Sequence, residues 1–191
     1  MTIIKTKQPA FHITGEAGWI NDPNGLIFFN GRYHAFYQHN PFDTKWGPMH
    51  WGHVVSDDLT NWEYLPIALF PGDDCDKNGC FSGSAIVYNN KLWLMYTGFI
   101  ENEGGESIRQ VQCLAESDDG ITFKKHGIVI GKSDLPEGYA PCDFRDPKLS
   151  LGISVKIVAF FERLCYNPII QTVERTDVLC QKRRVALWEH I

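Results

Sequence analysis

The sequence contains no Cys-x-x-Cys pair, no long apolar run and no excess of basic residues, and each shortfall removes a class of protein. Six cysteines, at positions 75, 80, 113, 142, 165 and 180, imply neither a zinc site nor a disulfide framework. Reduced thiols and a cytoplasmic setting are expected. No stretch approaches the ~20 apolar residues of a membrane span. The opening Met1-Thr-Ile-Ile-Lys-Thr-Lys-Gln-Pro-Ala10 lacks the long apolar core of a signal peptide. A formal net charge of −5 argues against nucleic acid and against an anionic membrane surface as partners. With 43% hydrophobic and 21% charged residues there is no signature of disorder. The 191 residues set a prior of one domain or little more.

What is present is aromatic and strand-forming. Aromatic residues make up 13% of the chain, with six Trp, and many stand beside polar groups. Such surfaces suit the C–H faces of sugars, although small all-β cores use aromatics too. Leu26-Ile-Phe-Phe29 meets Asn30-Gly31, a strong hairpin signal, and Arg32-Tyr-His-Ala-Phe-Tyr-Gln38 returns. Met49–Val55 reads as a further strand. Ser84–Tyr88, Asn89-Asn90 and Lys91–Thr97 make a second hairpin, and Arg109–Ala115 another strand. The hairpin turns at Asn30 and Asn89 are 59 residues apart, and Ser56-Asp57-Asp58 returns as Ser117-Asp118-Asp119 after 61. A unit of ~60 residues, with about four short strands ending in a polar turn, resembles one blade of a β-propeller. A sandwich has no reason to repeat at this period.

The stretch Trp19-Ile20-Asn21-Asp22-Pro23-Asn24-Gly25 reads first as a tight turn before a strand, because most of it is turn-forming. Yet Pro23 keeps Asp22 out of the helical region, and Gly25 tolerates φ > 0. An acid on stiff backbone beside Trp19 is a way to present a carboxylate to a polyhydroxylated ligand. Two other clusters lead nowhere. Asp74-x-Asp76-x-Asn78-Gly79 opens like a calcium loop, but its twelfth position is Ala85 where a bidentate Glu is required. His50 and His53 are three apart in a strand and so face opposite ways. No metal and no cofactor are implied.

Longer motifs then come into line. Phe11-His12 through Leu26, Tyr33-His34-x-Phe36-Tyr37-Gln38-x-x-Pro41 and Trp46-Gly-Pro-Met-His-Trp-Gly-His53 resemble glycoside hydrolase family 32, the β-fructofuranosidases. So do Pro66–Gly72, Gly79-x-Phe81-Ser82-Gly83-Ser84 and Phe144-Arg145-Asp146-Pro147-Lys148. The resemblance covers roughly residues 11–148. It implies an all-β fold, a five-bladed propeller usually followed by a β-sandwich. It also implies retaining hydrolysis of terminal β-D-fructofuranosides such as sucrose, sucrose 6-phosphate or a fructan. By this resemblance Asp22 is the nucleophile and Asp146 the transition-state stabiliser. Asn21, Gln38, Trp46, Phe81, Ser82 and Arg145 contact the fructose. Taken alone, Arg145-Asp146 would be a surface ion pair and Trp46 could equally be core. Pro147 is expected to hold Asp146 extended, as Pro23 holds Asp22.

The family's general acid is a Glu in a Glu-Cys pair, and no Glu-Cys occurs in this sequence. Glu162, Glu174 and Glu189 lack any matching context. Residues 149–191 hold one of the 17 glycines and one of the 10 prolines, and carry +2 where residues 1–148 carry −7. Val155–Leu164 could form a short amphipathic helix. The preferred expectation is that 1–148 is the N-terminal part of the propeller domain and 149–191 an aberrant tail. About two and a half blades, with no C-terminal sandwich, cannot close a ring. An inactive fragment arising by frameshift near Lys148 is the expectation, with a non-catalytic fructoside-binding remnant or a structural role as alternatives. Reading the gene in its other two frames past codon 148 checks the frameshift. One frame should yield alternating strands and a Glu-Cys pair, and failure of both removes the idea.

Overall fold

A computed structural model describes residues 9, 11–101, 108–135, 142, 144–151, 157–163, 169–170 and 186–188. Strands β1 (Trp19–Phe29), β2 (Arg32–Asn40), β3 (His50–Ser56) and β4 (Glu63–Leu69) form an antiparallel sheet in chain order. β5 (Gly79–Tyr88), β6 (Lys91–Glu101), β7 (Ile108–Ser117) and β8 (Lys124–Ile130) form a second of the same design. β9 (Arg145–Leu151) pairs with β10 (Ile157–Arg163), whose other edge meets β11 (Ile169–Ile170) and β12 (Ala186–Trp188). The break in composition at Lys148 therefore falls inside a strand, and Ile157–Arg163 is extended where a short helix was an option.

The repeat seen in the sequence is a repeat of turn chemistry. Asn30-Gly31 has φ of 48° and 84°, and Asn89-Asn90 has 50° and 59°. Positive φ at both positions is what a two-residue turn needs to match the twist of its strands. At the same end of each sheet a serine and an aspartate cap the turn that follows the third strand. Ser56 Oγ accepts from Leu59 N at 2.8 Å, and Asp58 Oδ1 from Thr60 N and Asn61 N at 2.8 and 2.7 Å. Ser117 Oγ accepts from Gly120 N at 2.8 Å, and Asp119 Oδ1 from Ile121 N and Thr122 N at 2.7 and 2.8 Å. Those N–H groups hold the Asp119 carboxyl down at about 2, and the Asn61 and Thr60 groups depress Asp58 likewise. Even the ion pair at the hairpin base recurs, as Arg32–Asp57 at 2.8 Å and Lys91–Asp118 at 3.3 Å.

The core lies between the sheets. Phe29, Phe36 and Trp51 of the first sheet pack with Leu92, Leu94, Tyr96, Val111 and Cys113 of the second. The alternate residues of β6, Trp93 and Met95, pack with Phe144 and Leu149 near β9. β6 is thus covered on both faces, which is why Leu92–Tyr96 is an unbroken apolar run and not an alternation. The β4–β5 connection is fastened by one buried carboxylate. Asp76, fully buried, accepts from Tyr96 Oη and Lys125 Nζ, both at 2.7 Å, and from Gly72 N and Asp73 N at 3.1 and 3.0 Å. Asp73, Cys75 and Asp76 bring their ligand-type atoms within 4.8 Å of one another. The Lys125 ammonium, 3.1 Å from Asp73 and 2.7 Å from Asp76, supplies the positive charge there.

At the interface of the first two sheets, His34 Nδ1 and His53 Nε2 are 3.0 Å apart, and His53 is 1% exposed and stacked on Phe36. Burial lowers both pKa values, that of His53 to about 3. A histidine neutral when folded and titrating near 6.5 when unfolded contributes stability above pH ~6.5. That stability falls as pH drops towards 3, by up to about 1.4 kcal/mol per pH unit. Urea unfolding between pH 7 and 4.5 should show this slope in the wild type and a shallower one in His53→Phe. Equal slopes would show that this ring does not titrate on unfolding.

Candidate functional site

The stretch from Trp19 to Gly25 is not a turn ahead of a strand, because β1 begins at Trp19 and runs through it. The pairing with β2 slips between Ile20 and Pro23 and again between Asn24 and Ile27. Bulges accommodate Pro23, which has no N–H to offer a ladder, and β1 is an edge strand where that loss is tolerated. Gly25 has φ +54°, and a Cβ there would lie 2.9 Å from Ala85 Cβ and 3.2 Å from Phe36. Its missing side chain lets β1 approach β5. On β5 the register slips between Phe81 and Gly83, with Ser82 in the irregularity. Gly83 is forced as well, since a Cβ would sit 2.0 Å from the Met95 carbonyl oxygen.

These two irregular strands meet through side chains. Ser82 Oγ donates to Asp22 Oδ2 at 2.9 Å, and Gly83 N donates to Asn24 Oδ1 at 3.3 Å. Trp19 Nε1 donates to Asn21 Oδ1 at 2.7 Å, which fixes the neighbouring amide. Buried Gln38 donates to the Cys80 carbonyl at 3.0 Å, and Trp51 Nε1 to the Phe81 carbonyl at 3.1 Å. Trp46 is 56% exposed and meets Phe81 edge-on at 5.9 Å, so it is not core; Phe81 in turn stacks on Phe99 at 4.3 Å.

The expectation that Pro147 holds Asp146 extended is overturned, because Asp146 has φ +59°. A proline restricts its predecessor, but tertiary hydrogen bonds override the preference here. Asp146 N donates to Thr97 Oγ1 at 3.0 Å and Leu149 N to Ser84 Oγ at 2.7 Å. Aspartate is among the residues that tolerate the left-handed region. Arg145 Nε lies 3.9 Å from Asp146 Oδ2.

Asn21, Asp22, Gln38, Trp46, Phe81, Ser82, Arg145 and Asp146 together line one cavity of about 270 Å³. They come from β1, β2, β5 and β9 and the loop before β3, so all three sheets take part. A wider cavity of about 610 Å³ shares Asp22, Ser82 and Asp146 and extends along Leu26, Ala85 and Lys148. Two carboxylates, a hydroxyl, two amides, a guanidinium and two aromatic rings make a surface suited to a sugar. His50 and His53 do not join it: His50 Nδ1 lies 3.0 Å from the Pro48 carbonyl oxygen, while His53 is stacked on Phe36. Thr97, which lines neither cavity, carries no signal in the sequence that separates it from ordinary strand residues, and Asn24, which lines the wider one, stands in the Trp19–Gly25 motif only as a turn former.

Residues 12–159 match the model of the N-terminal domain of glycosyl hydrolases family 32. A sucrose-6-phosphate hydrolase of Escherichia coli is 56% identical over 147 residues, 75% of this chain and 30% of that protein. A raffinose invertase of the same organism is 54% identical over 147 residues, with the same coverage of 75% and 30%. Among solved structures, a beta-fructofuranosidase of Bombyx mori superposes with a TM-score of 0.70 at 40% identity, covering 81% of this chain and 32% of the other. The chain thus spans about 30% of the length of the curated relatives it matches.

The close approach of β1 to β5 can be tested at its glycine. Gly25→Ala meets both an unfavourable φ and a 2.9 Å contact, and should destabilise by about 1–3 kcal/mol. Gly31, with φ +84° and nothing within 4 Å of a built Cβ, carries only the conformational part. Thermal unfolding should therefore rank Gly25→Ala below Gly31→Ala. The reverse order would mean that the two strands are not in contact.

Proposed function

The chain belongs to glycosyl hydrolases family 32 through its N-terminal domain, and on that premise we propose that its cavity receives the fructosyl unit of a terminal β-D-fructofuranoside. The observation that carries this reading is the convergence of eight side chains, from three sheets, on one cavity. Asp22 has the nucleophile's role. Ser82 holds its Oδ2 and so sets the rotation of the carboxylate, which presents the other oxygen to the anomeric carbon. Asp146 accepts from sugar hydroxyls and favours the oxocarbenium charge as it develops. Asn21, Gln38 and Arg145 take further hydroxyls, and Trp46 with Phe81 walls the ring.

Retaining cleavage also needs a carboxylic acid to protonate the leaving oxygen. That help is worth ~10²–10⁴-fold, and the chain contains no Glu-Cys pair to supply it. For these 191 residues taken by themselves the proposal is therefore binding without turnover. Two relatives at nearly equal identity carry different names, a sucrose-6-phosphate hydrolase and a raffinose invertase. The shared chemistry is the terminal fructofuranoside, and it is this unit that the proposal names. Among the described residues no helix is long and apolar enough to cross a membrane, and Cys75, Cys80 and Cys113 are free thiols. Both are compatible with the cytoplasmic setting we propose.

Calorimetric titration with fructose and sucrose should show saturable binding, weakened at least ~10-fold in Asp146→Asn by loss of a charged hydrogen-bond acceptor. Sucrose hydrolysis should remain at background. Turnover would sink the claim that the proton donor is missing. A silent titration combined with a defined oligomer would favour a purely structural role.

A further inference from the structure

We propose that Thr97 is the positioning residue for both carboxylates, setting Asp146 directly and Asp22 through Ser82. This rests on the fructoside reading, in which those two aspartates contact the sugar. Thr97 is fully buried in β6, paired with Phe81 on one side and Gln112 on the other, and lines neither cavity described above. Its hydroxyl lies 3.1 Å from the Ser82 carbonyl oxygen and 3.3 Å from Gln112 Oε1, and it accepts from Asp146 N at 3.0 Å. One hydroxyl therefore touches the backbone on both sides of the cavity. The hydroxyl proton goes to the nearer acceptor, the Ser82 carbonyl, and the lone pair takes the Asp146 N–H. Ser82 then holds Asp22 at 2.9 Å.

The need for such a device lies in Asp146 itself. It has φ +59° immediately before a proline, a conformation that persists only where the surroundings over-determine it. Gln112, also fully buried, completes the clamp. Its Nε2 donates to the Phe144 carbonyl at 2.7 Å and anchors the chain as it enters β9. Without the Thr97 hydroxyl the Asp146 N–H loses this acceptor. The backbone can then relax towards the extended form that Pro147 prefers, and the Asp146 carboxylate moves out of the cavity.

The test uses the full chain and three proteins: wild type, Thr97→Val, which keeps the volume without the hydroxyl, and Thr97→Ser, which restores the hydroxyl. Amide exchange by NMR should be at least tenfold faster at Asp146 in Thr97→Val and wild-type in Thr97→Ser. The Leu149 amide, held independently by Ser84 Oγ at 2.7 Å, should be unchanged in both and reports any general loosening. Fructose affinity should fall at least tenfold in Thr97→Val and return in Thr97→Ser. Unchanged exchange at Asp146, or an equal rise at Leu149, overturns the proposal. If Thr97→Val does not fold, Thr97→Cys, a weaker acceptor in similar volume, is read on the same two amides with the same criteria. If the wild type binds no fructoside, the fructoside reading fails by itself, and the amide comparison alone decides whether Thr97 sets Asp146.

Discussion

The hydrogen bond from Ser82 Oγ to Asp22 Oδ2, 2.9 Å long, crosses the seam between the first and second sheets, and the cavity exists because that seam is tight. Two strands cannot come so close with ordinary side chains between them. Gly25 removes the side chain that would intervene, Gly83 lets the bulged β5 lie against Met95 and Tyr96 of β6, and Asn24 Oδ1 receives the Gly83 N–H that the bulge turns away from its ladder. The polar contacts are consequences of the approach. The apolar layer of Phe29, Phe36 and Trp51 against Leu92, Leu94 and Tyr96 supplies the driving force that holds the sheets together.

The two complete sheets are nearly the same object made twice. Their hairpins use positive φ at the same two places, their serine–aspartate caps bond the same N–H groups, and even the basic residue after each hairpin finds the acid of the following turn. What differs is the use to which each is put. β1 carries Asp22 on an irregular edge, whereas the second sheet offers β9 and the residue before it three polar anchors, Ser84 of β5, Thr97 of β6 and Gln112 of β7. A repeated scaffold thus carries a site that is not itself repeated.

Buried polar groups concentrate where sheets meet. Asp76 with Lys125 and Tyr96 closes the connection between the first and second sheets, and the His34–His53 pair sits where the same sheets pack. A buried charge is costly unless every lone pair is satisfied, and Asp76 meets that requirement with backbone, phenol and ammonium donors. Such a cluster favours one relative placement of two otherwise similar sheets, which an apolar contact surface by itself would leave free to slide.

The strands, the two hairpins and the capped turns were legible in the residues, because each depends on neighbours a few positions away: Asn-Gly sterics, alternation of apolar residues, serine and aspartate reaching the next N–H groups. The motif from Trp19 to Gly25 and the run from Phe144 to Lys148 also identified the family. The conformations inside those motifs were legible only in part. Asp22 reads as extended before Pro23 and lies in a strand, but the bulges of that edge strand are not foreseen, and Asp146 reads as extended and is left-handed. In both cases the deciding bonds come from residues 49 to 65 positions away in the chain: Thr97 to Asp146, Ser82 to Asp22, Ser84 to Leu149. Local sterics determine which elements form. Only the packing of one sheet on the next decides where their irregular residues point, because that depends on hydrogen-bond partners no local pattern encodes.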